Sequence, residues 1–270
     1  MNLKEIERVV SILQASIFKR ANSHTTGMIK SHFRGSGLQF REHQIYVPGD
    51  DVRFIDWKLS AKSSNIYLKT FEEDRNVEIN IFFDLTTTLC YGDKGVSKLQ
   101  ASVEIIALLY LLAGQTHDLV KLTIWADKAI TLPPKKGKEG LTLFINSLEK
   151  LGVLDSEGRY GLHKEFQNQL TEGEKINHLK ASLAKRKEVL YLGDGYSFSQ
   201  ADVIKPFLGM RNFHFFKVVS PVDLGDMPKY LLKSRKGSYW VGDKVDYKEP
   251  RIKIIRVDDR YLDRFVRELV

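Results

Sequence analysis

The sequence predicts an α/β protein, an open and mostly parallel sheet flanked by helices, with an irregular, β-rich appendage at its N-terminal side. Three observations carry this. From residue 77 to 220, short apolar runs alternate with longer helical patterns, the signature of a largely parallel sheet. The runs "VEINIFFD", "DLVKLTIWA" and "KEVLYLGD" have nearly continuous apolar stretches, as strands covered on both faces do. Residues 21–65 show no sustained period and carry glycines at 27, 35, 37 and 49.

In order along the chain, Leu3, Ile6, Val9, Val10, Leu13 and Ile17 recur at helical spacing and predict an amphipathic helix to about Phe18. The organisation is therefore an N-terminal helix over 1–20, an appendage over 21–75 and an α/β domain over 76–270. "IYLKTFE" (66–72) alternates like a strand, and "VEINIFFD" (77–84) reads as a central one. Ser97 is placed to cap a helix running to about Leu112. Strands at 118–126 and 128–132 precede helices near 140–151, 162–170 and 174–185. A strand at 187–194, a helix at 199–209 and a strand at 212–220 complete the alternation. The tail predicts a hairpin around 237–247, a strand at 251–256 and a closing helix from about Asp259.

The bulk properties bound the function. A chain of 270 residues with 43% hydrophobic and 28% charged residues can bury a large core. A net charge of +8 suggests anionic partners, but the basic residues are scattered among acids. That argues against nucleic acid and leaves membrane contact peripheral at most. The single cysteine, Cys90, permits no internal disulfide and suits a reducing compartment. The first residues carry charges unlike a signal peptide. The longest apolar run, Ile105–Ala113, falls short of the about 20 residues of a membrane span. A cytoplasmic location is expected.

Two strands end in aspartate, at Asp84 and Asp194. In open α/β sheets, ligands bind beyond the carboxyl ends of strands where the strand order reverses. If the exit "DLTTT" stays extended, Asp84, Thr86 and Thr88 share a face. A carboxylate and two hydroxyls are hard oxygen donors suited to Mg²⁺ or Mn²⁺, and Asp194 offers a second carboxylate. The same residues equally suit a structural role, capping the helix that follows. Spacing alone leaves both open. No zinc spacing links the histidines, no Walker loop and no G-x-S-x-G elbow occurs, and Cys90 lies among apolar neighbours like a buried structural thiol.

The stretches "RGSGLQFREHQIYVPGDDVRFIDWKLSAKSSNIYLKTFEEDRN" (34–76) and "FFDLTTTLCYGDKGVSKLQ" (82–100) resemble the bacterial family called domain of unknown function fifty-eight. Its hallmark is a PGDD-V-R-x-I-D-W segment ahead of a von Willebrand factor A-like domain. Weaker correspondence continues through "LYLGD" and "VVSPVDLGDMP", so the resemblance covers most of the chain from about residue 27. It implies a Rossmann-like A-type domain with a metal-ion-dependent adhesion site of D-x-S-x-S type. Asp84, Thr86 and Thr88 fall on that motif, with threonine at both serine positions, and Asp194 on the later strand-terminal aspartate. It also implies a non-catalytic partnership with MoxR-type AAA+ ATPases in assembling or activating other proteins. The loop expected to add a further threonine reads Gly158-Arg159-Tyr160-Gly161 instead, and an arginine there has the charge to replace the cation's.

Within the signature, Pro48-Gly49 forces a turn and Asp50 or Asp51 is placed to cap the next one. Arg53 and Asp56, three apart, suit an ion pair on one face. Val52, Ile55 and Trp57 offer apolar anchorage, while Arg34, Arg41, Lys58 and Lys62 pair with acids or project outward. The segment reads as a clasp, as a recognition platform, or as both. For the chain as a whole, the leading reading is a binding module that docks a partner at the carboxyl edge of the sheet. Its rivals are a metal-dependent hydrolase using Asp84 and Asp194 and, below that, a nucleic-acid binder whose affinity falls steeply with salt.

Overall fold

The computed structural model describes residues 37–47, 52–74, 77–93, 95–116, 118–155, 157–161, 165–166, 168–184, 187–198, 201–221, 223–224, 231–234, 237–240, 251–258 and 260–269. The expected N-terminal helix, Arg34, Asp50, Asp51 and the side chain of Arg41 lie outside the described residues. The chain divides into two compact units, one of Arg34–Asn76 and one that includes Val77–Val270.

The smaller unit is built on an antiparallel hairpin of β1 (Gly37–Ile45) and β2 (Tyr67–Asp74), whose register slips between Phe40 and Glu42. Its connection carries a 3-10 turn at Val52–Phe54 and the single-turn helix α1 (Trp57–Ser60). Asp56 starts α1 by accepting the Leu59 amide at 3.0 Å, which satisfies one of the amides a helix start leaves bare. Its other oxygen lies 3.0 Å from His43 Nε2 and 3.3 Å from Lys69 Nζ. The carboxylate assigned from spacing to Arg53 is thus held by both strands of the hairpin. These bonds keep its carboxyl at about 2, below the ordinary 3.8, with the Leu59 amide the largest cause. Val52 and Trp57 are 56% and 67% exposed.

In the larger unit the elements follow the predicted alternation. They are β3 (Glu78–Asp84), the small ribbon β4 (Gly92–Asp93) and β5 (Val96–Ser97), α2 (Lys98–Thr116), β6 (Leu119–Trp125) and β7 (Ala129–Lys135). Next come α3 (Gly137–Lys150), α4 (Glu172–Ala184), β8 (Glu188–Gly193), α5 (Ala201–Leu208) and β9 (Phe213–Val219). The hairpin β10 (Leu231–Ser234) and β11 (Gly237–Trp240), β12 (Ile252–Arg256) and α6 (Tyr261–Leu269) complete the unit. Ser97 caps α2 as expected, its Oγ accepting the Gln100 amide at 3.0 Å. A tail hairpin pairs Leu231 with Trp240; residues 241–247 of the predicted hairpin over 237–247 lie outside the described residues. The helix expected over 162–170 is absent among the described residues of that stretch, which run as irregular chain.

The six-stranded sheet has the order β12-β9-β8-β3-β6-β7. It is parallel except for β7, which turns back antiparallel on β6. Pro133 and Pro134 lie on β7, where the register against β6 slips between Val120 and Leu122. Alternate residues of β3 feed opposite cores. Ile79, Ile81 and Phe83 pack with residues of α2, α3 and α6, whereas Phe82 joins Tyr191, Phe213, Phe215 and residues of α4 and α5. Each fully buried Leu, Ile or Phe contributes about 1.5–3 kcal/mol. Because β3 has β6 on one side and β8 on the other, the strand order reverses between β3 and β8. That crevice is where such sheets bind ligands.

Candidate functional site

Asp84 leaves β3 and Asp194 follows β8 on the two sides of this crevice. Phe83 pairs with Leu192, which sets Asp84 beside Gly193. A Cβ at residue 193 would lie 2.9 Å from the Asp84 Cβ, so the close approach requires glycine. Beyond Asp84 the chain stays extended at Thr86 (φ −125°, ψ 155°) and then winds into a 3-10 turn over Thr87–Cys90. Thr86 occupies the cap position of that turn but makes no side-chain cap bond. Its hydroxyl instead meets Thr88 Oγ1 at 2.9 Å. Thr88 Oγ1 donates to Asp194 Oδ2 at 2.5 Å. The structure thus brings Thr86, Thr88 and Asp194 together, with Asp84 alongside.

The two aspartates are fully buried and each is met by a buried lysine. Asp84 Oδ1 accepts from Lys175 Nζ at 3.1 Å and from Asn168 Nδ2 at 2.8 Å, and Oδ2 accepts from Tyr191 OH at 2.8 Å. Lys175 also donates to Ser197 Oγ at 2.7 Å. It lies 5.7 Å from the centre of the Trp125 ring. Asp194 Oδ2 lies 3.4 Å from Lys98 Nζ, and Lys98 reaches Asp223 at 3.1 Å. Asp223 further accepts from the Ser220 amide, the Ser220 hydroxyl and Tyr196 OH at 2.6, 2.7 and 2.9 Å.

Burial pushes the Asp84 carboxyl up from the ordinary range, against the pull of Lys175 and the Ser197 and Tyr191 hydroxyls. Burial also works on Asp223, but Lys98 and Ser220 hold its carboxyl below the ordinary value. Tyr191 is driven well above the usual phenol range by burial and then by Asp84 and Asp194, so it stays a proton donor. Burial pulls Lys217 down from the usual lysine range, with Asp223 and Asp194 opposing. Three acids (Asp84, Asp194, Asp223) and three lysines (Lys98, Lys175, Lys217) therefore share the neighbourhood. The Cys90 thiol is pushed up to about 11 by burial, which leaves little nucleophilic thiolate at neutral pH.

Above these groups opens a cleft of about 370 Å³ lined by Thr86, Thr87, Thr88, Asn168, Leu170, Lys175, Tyr196 and Ser197. Thr87 fixes one wall: its hydroxyl accepts the Phe166 amide and donates to the Phe166 carbonyl, both at 2.9 Å. This tie holds the irregular segment that delivers Asn168. Arg159 does not reach the acids. It is exposed and bonds Asp155 and Glu157 at 2.8 and 2.9 Å, so the charge assigned to an arginine is supplied by lysines.

Sequence reasoning missed Lys98, Lys175, Asn168, Tyr191 and Asp223 as site residues. For Lys98 a signal existed. Lys98 opens α2 with no acid in the first turn, where the macrodipole disfavours a cation, so a carboxylate opposite it was to be expected; Lys175 follows Glu172 and Glu174 on α4, which masks the same signal. Among the described residues, no group of three or more His, Cys, Asp or Glu side chains converges as a metal ion would need. No helix among them is long and apolar enough to cross a membrane.

A family model described as "Protein of unknown function DUF58" matches residues 41–188, a span running from the hairpin unit to the start of β8. The chain belongs to this family. Among relatives of this DUF58 chain are Uncharacterized protein Rv1480 of Mycobacterium tuberculosis (strain ATCC 25618 / H37Rv) and Uncharacterized protein Mb1516 of Mycobacterium bovis. Each is 26% identical over 106 residues, covering 39% of this chain and 33% of the relative. The DUF58 chain thus spans about a third of the length of these curated relatives in the matched region. Solved structures with some likeness include the conserved hypothetical protein BatB from Bacteroides thetaiotaomicron, at TM-score 0.41 and 17% identity over 71% of this chain and 95% of that one. An aerotolerance-related membrane protein from Bacteroides fragilis gives TM-score 0.43 and 17% identity over 72% and 98%.

Proposed function

We propose that this DUF58 chain is a non-catalytic protein–protein interaction module of von Willebrand A type, which acts with a MoxR-type AAA+ ATPase in assembling or activating other proteins. Docking takes place at the carboxyl edge of the sheet, at a degenerate adhesion-type site around Asp84, Thr86, Thr88 and Asp194. The observation that carries the reading is the convergence of these residues at the reversal of strand order, under an open cleft lined by hydroxyls, an amide and an ammonium. The choice of ATPase rests on the resemblance of residues 34–76 to the family signature.

A hydrolase fits less well. Both oxygens of Asp84 and both of Asp194 are engaged by fixed donors, the latter by Thr88 and the Tyr196 amide, which leaves them poorly placed to take a proton from water. The hairpin unit supports a second contact, since Val52, Phe54 and Trp57 are exposed there and exposed aromatic residues are typical interface anchors. The test is a pull-down of a MoxR-type ATPase with wild type, Tyr196→Ala at the cleft rim and Trp57→Ala on the hairpin unit. The Tyr196→Ala chain should bind at least about tenfold more weakly, a loss of about 1.4 kcal/mol. Unchanged binding by that variant would remove the cleft from the docking surface.

A further inference from the structure

We propose that Lys98 and Lys175 are the resident cations of this site, doing for the D-x-T-x-T acids what a divalent metal does elsewhere. Lys98 does not sit there by local preference, since the first turn of α2 holds no acid, whereas the first turn of α4 holds Glu172 and Glu174. Lys98 opens α2 and Lys175 lies in the first turn of α4, at helix ends that carry about half a positive charge. Both are buried, at 0% and 2% exposure, and a buried ammonium persists only when paired. The pairing includes the acids a metal would use: Lys175 with Asp84 at 3.1 Å, and Lys98 with Asp194 at 3.4 Å beside its closer partner Asp223 at 3.1 Å.

The donor set does not suit a dication as it stands. A hard metal binds through oxygen lone pairs, and those of Asp84 are directed at Lys175, Asn168 and Tyr191. Thr88 points its hydrogen at Asp194, the orientation of a donor to a carboxylate. A dication placed among these oxygens would also face two ammonium groups within a few ångströms, at low local dielectric. Asp84, Thr86, Thr88 and Asp194 are oxygen ligands of the right type, and the positive charge they require is covalently supplied. Removing both ammonium groups should convert the same oxygens into a Mn²⁺ or Mg²⁺ site.

The experiment uses Mn²⁺ as probe, read by the electron paramagnetic resonance signal of the free ion and by thermal melting. Wild type should leave the free-ion signal unchanged and melt at the same temperature with Mn²⁺ or with chelator. The K98A/K175A double variant should take up one Mn²⁺ per chain at least tenfold more tightly than wild type and melt higher with it. Adding Asp84→Asn to that variant should abolish the uptake. Should the double variant be unfolded without metal, Mn²⁺ is expected to restore its circular dichroism, since such binding is linked to folding. Stoichiometric Mn²⁺ uptake by wild type through Asp84 would overturn the proposal. A double variant whose spectrum and melting are indifferent to Mn²⁺, folded or not, would overturn it equally. No partner enters the assay, so its outcome is independent of the docking test.

Discussion

A methyl group at residue 193 would stand 2.7 Å from the Tyr191 hydroxyl and 2.9 Å from the Asp84 Cβ. Neither neighbour has room to retreat, because Tyr191 is stacked on Phe215 at 4.3 Å between ring centres and Asp84 is fully buried. Gly193→Ala is therefore expected to destabilise the fold by about 1–3 kcal/mol, the usual cost of overpacking, measured by urea denaturation. At this scale the aspartates and threonines were legible in the sequence, because strand-terminal acids followed by alternating hydroxyls form a pattern along one segment. Asn168 was not legible. It reaches Asp84 from a segment 84 residues away with no regular structure of its own, and its position depends on the bonds of Thr87 to Phe166.

Among the elements, α2 connects the site to the rest of the core. It begins with Lys98 at the acids and carries Glu104, fully buried, to meet α6 through the Tyr261 hydroxyl. Gln100 adds a bond to the same carboxyl at 3.2 Å. Tyr261→Phe would take one donor from a buried acid and is expected to cost about 1–3 kcal/mol, read as a lower denaturation midpoint with an unchanged slope. The strands β3, β6, β8 and β9 and the helix α2 could be read in advance because continuous apolar runs and a serine cap are local signals. The polar stretch around 162–170 misled for the opposite reason. Its helical spacing is weak, and the described residues there are held by tertiary bonds to Thr87, Asp84 and the Trp125 carbonyl.

For the molecule as a whole, the net charge of +8 does not describe the site, where three acids and three lysines offset one another. This balance gives a pH dependence of known sign for Asp223. Its carboxyl lies below the ordinary 3.8 in the folded chain. The stability it contributes is fully present above that value and is lost as pH falls through the depressed one. Denaturation curves taken from pH 5 downward should show wild type losing stability more steeply than Asp223→Asn; parallel curves would show that Asp223 does not carry the effect. The fold class was readable from the alternation of apolar runs and helices. The strand order was not, because nothing local tells β8 to lie against β3 rather than beside β6, and the facing of Asp84 and Asp194 follows from that choice.

The same strand order leaves β7 on the outer border, with Pro133 and Pro134 side by side. An imino nitrogen has no hydrogen to offer, so a foreign chain seeking to prolong the ladder past this border finds a donor missing where an outward-facing amide would stand. Proline at a sheet margin is a natural guard against edge-to-edge aggregation. On this flank the protein is built to resist stacking with its own copies.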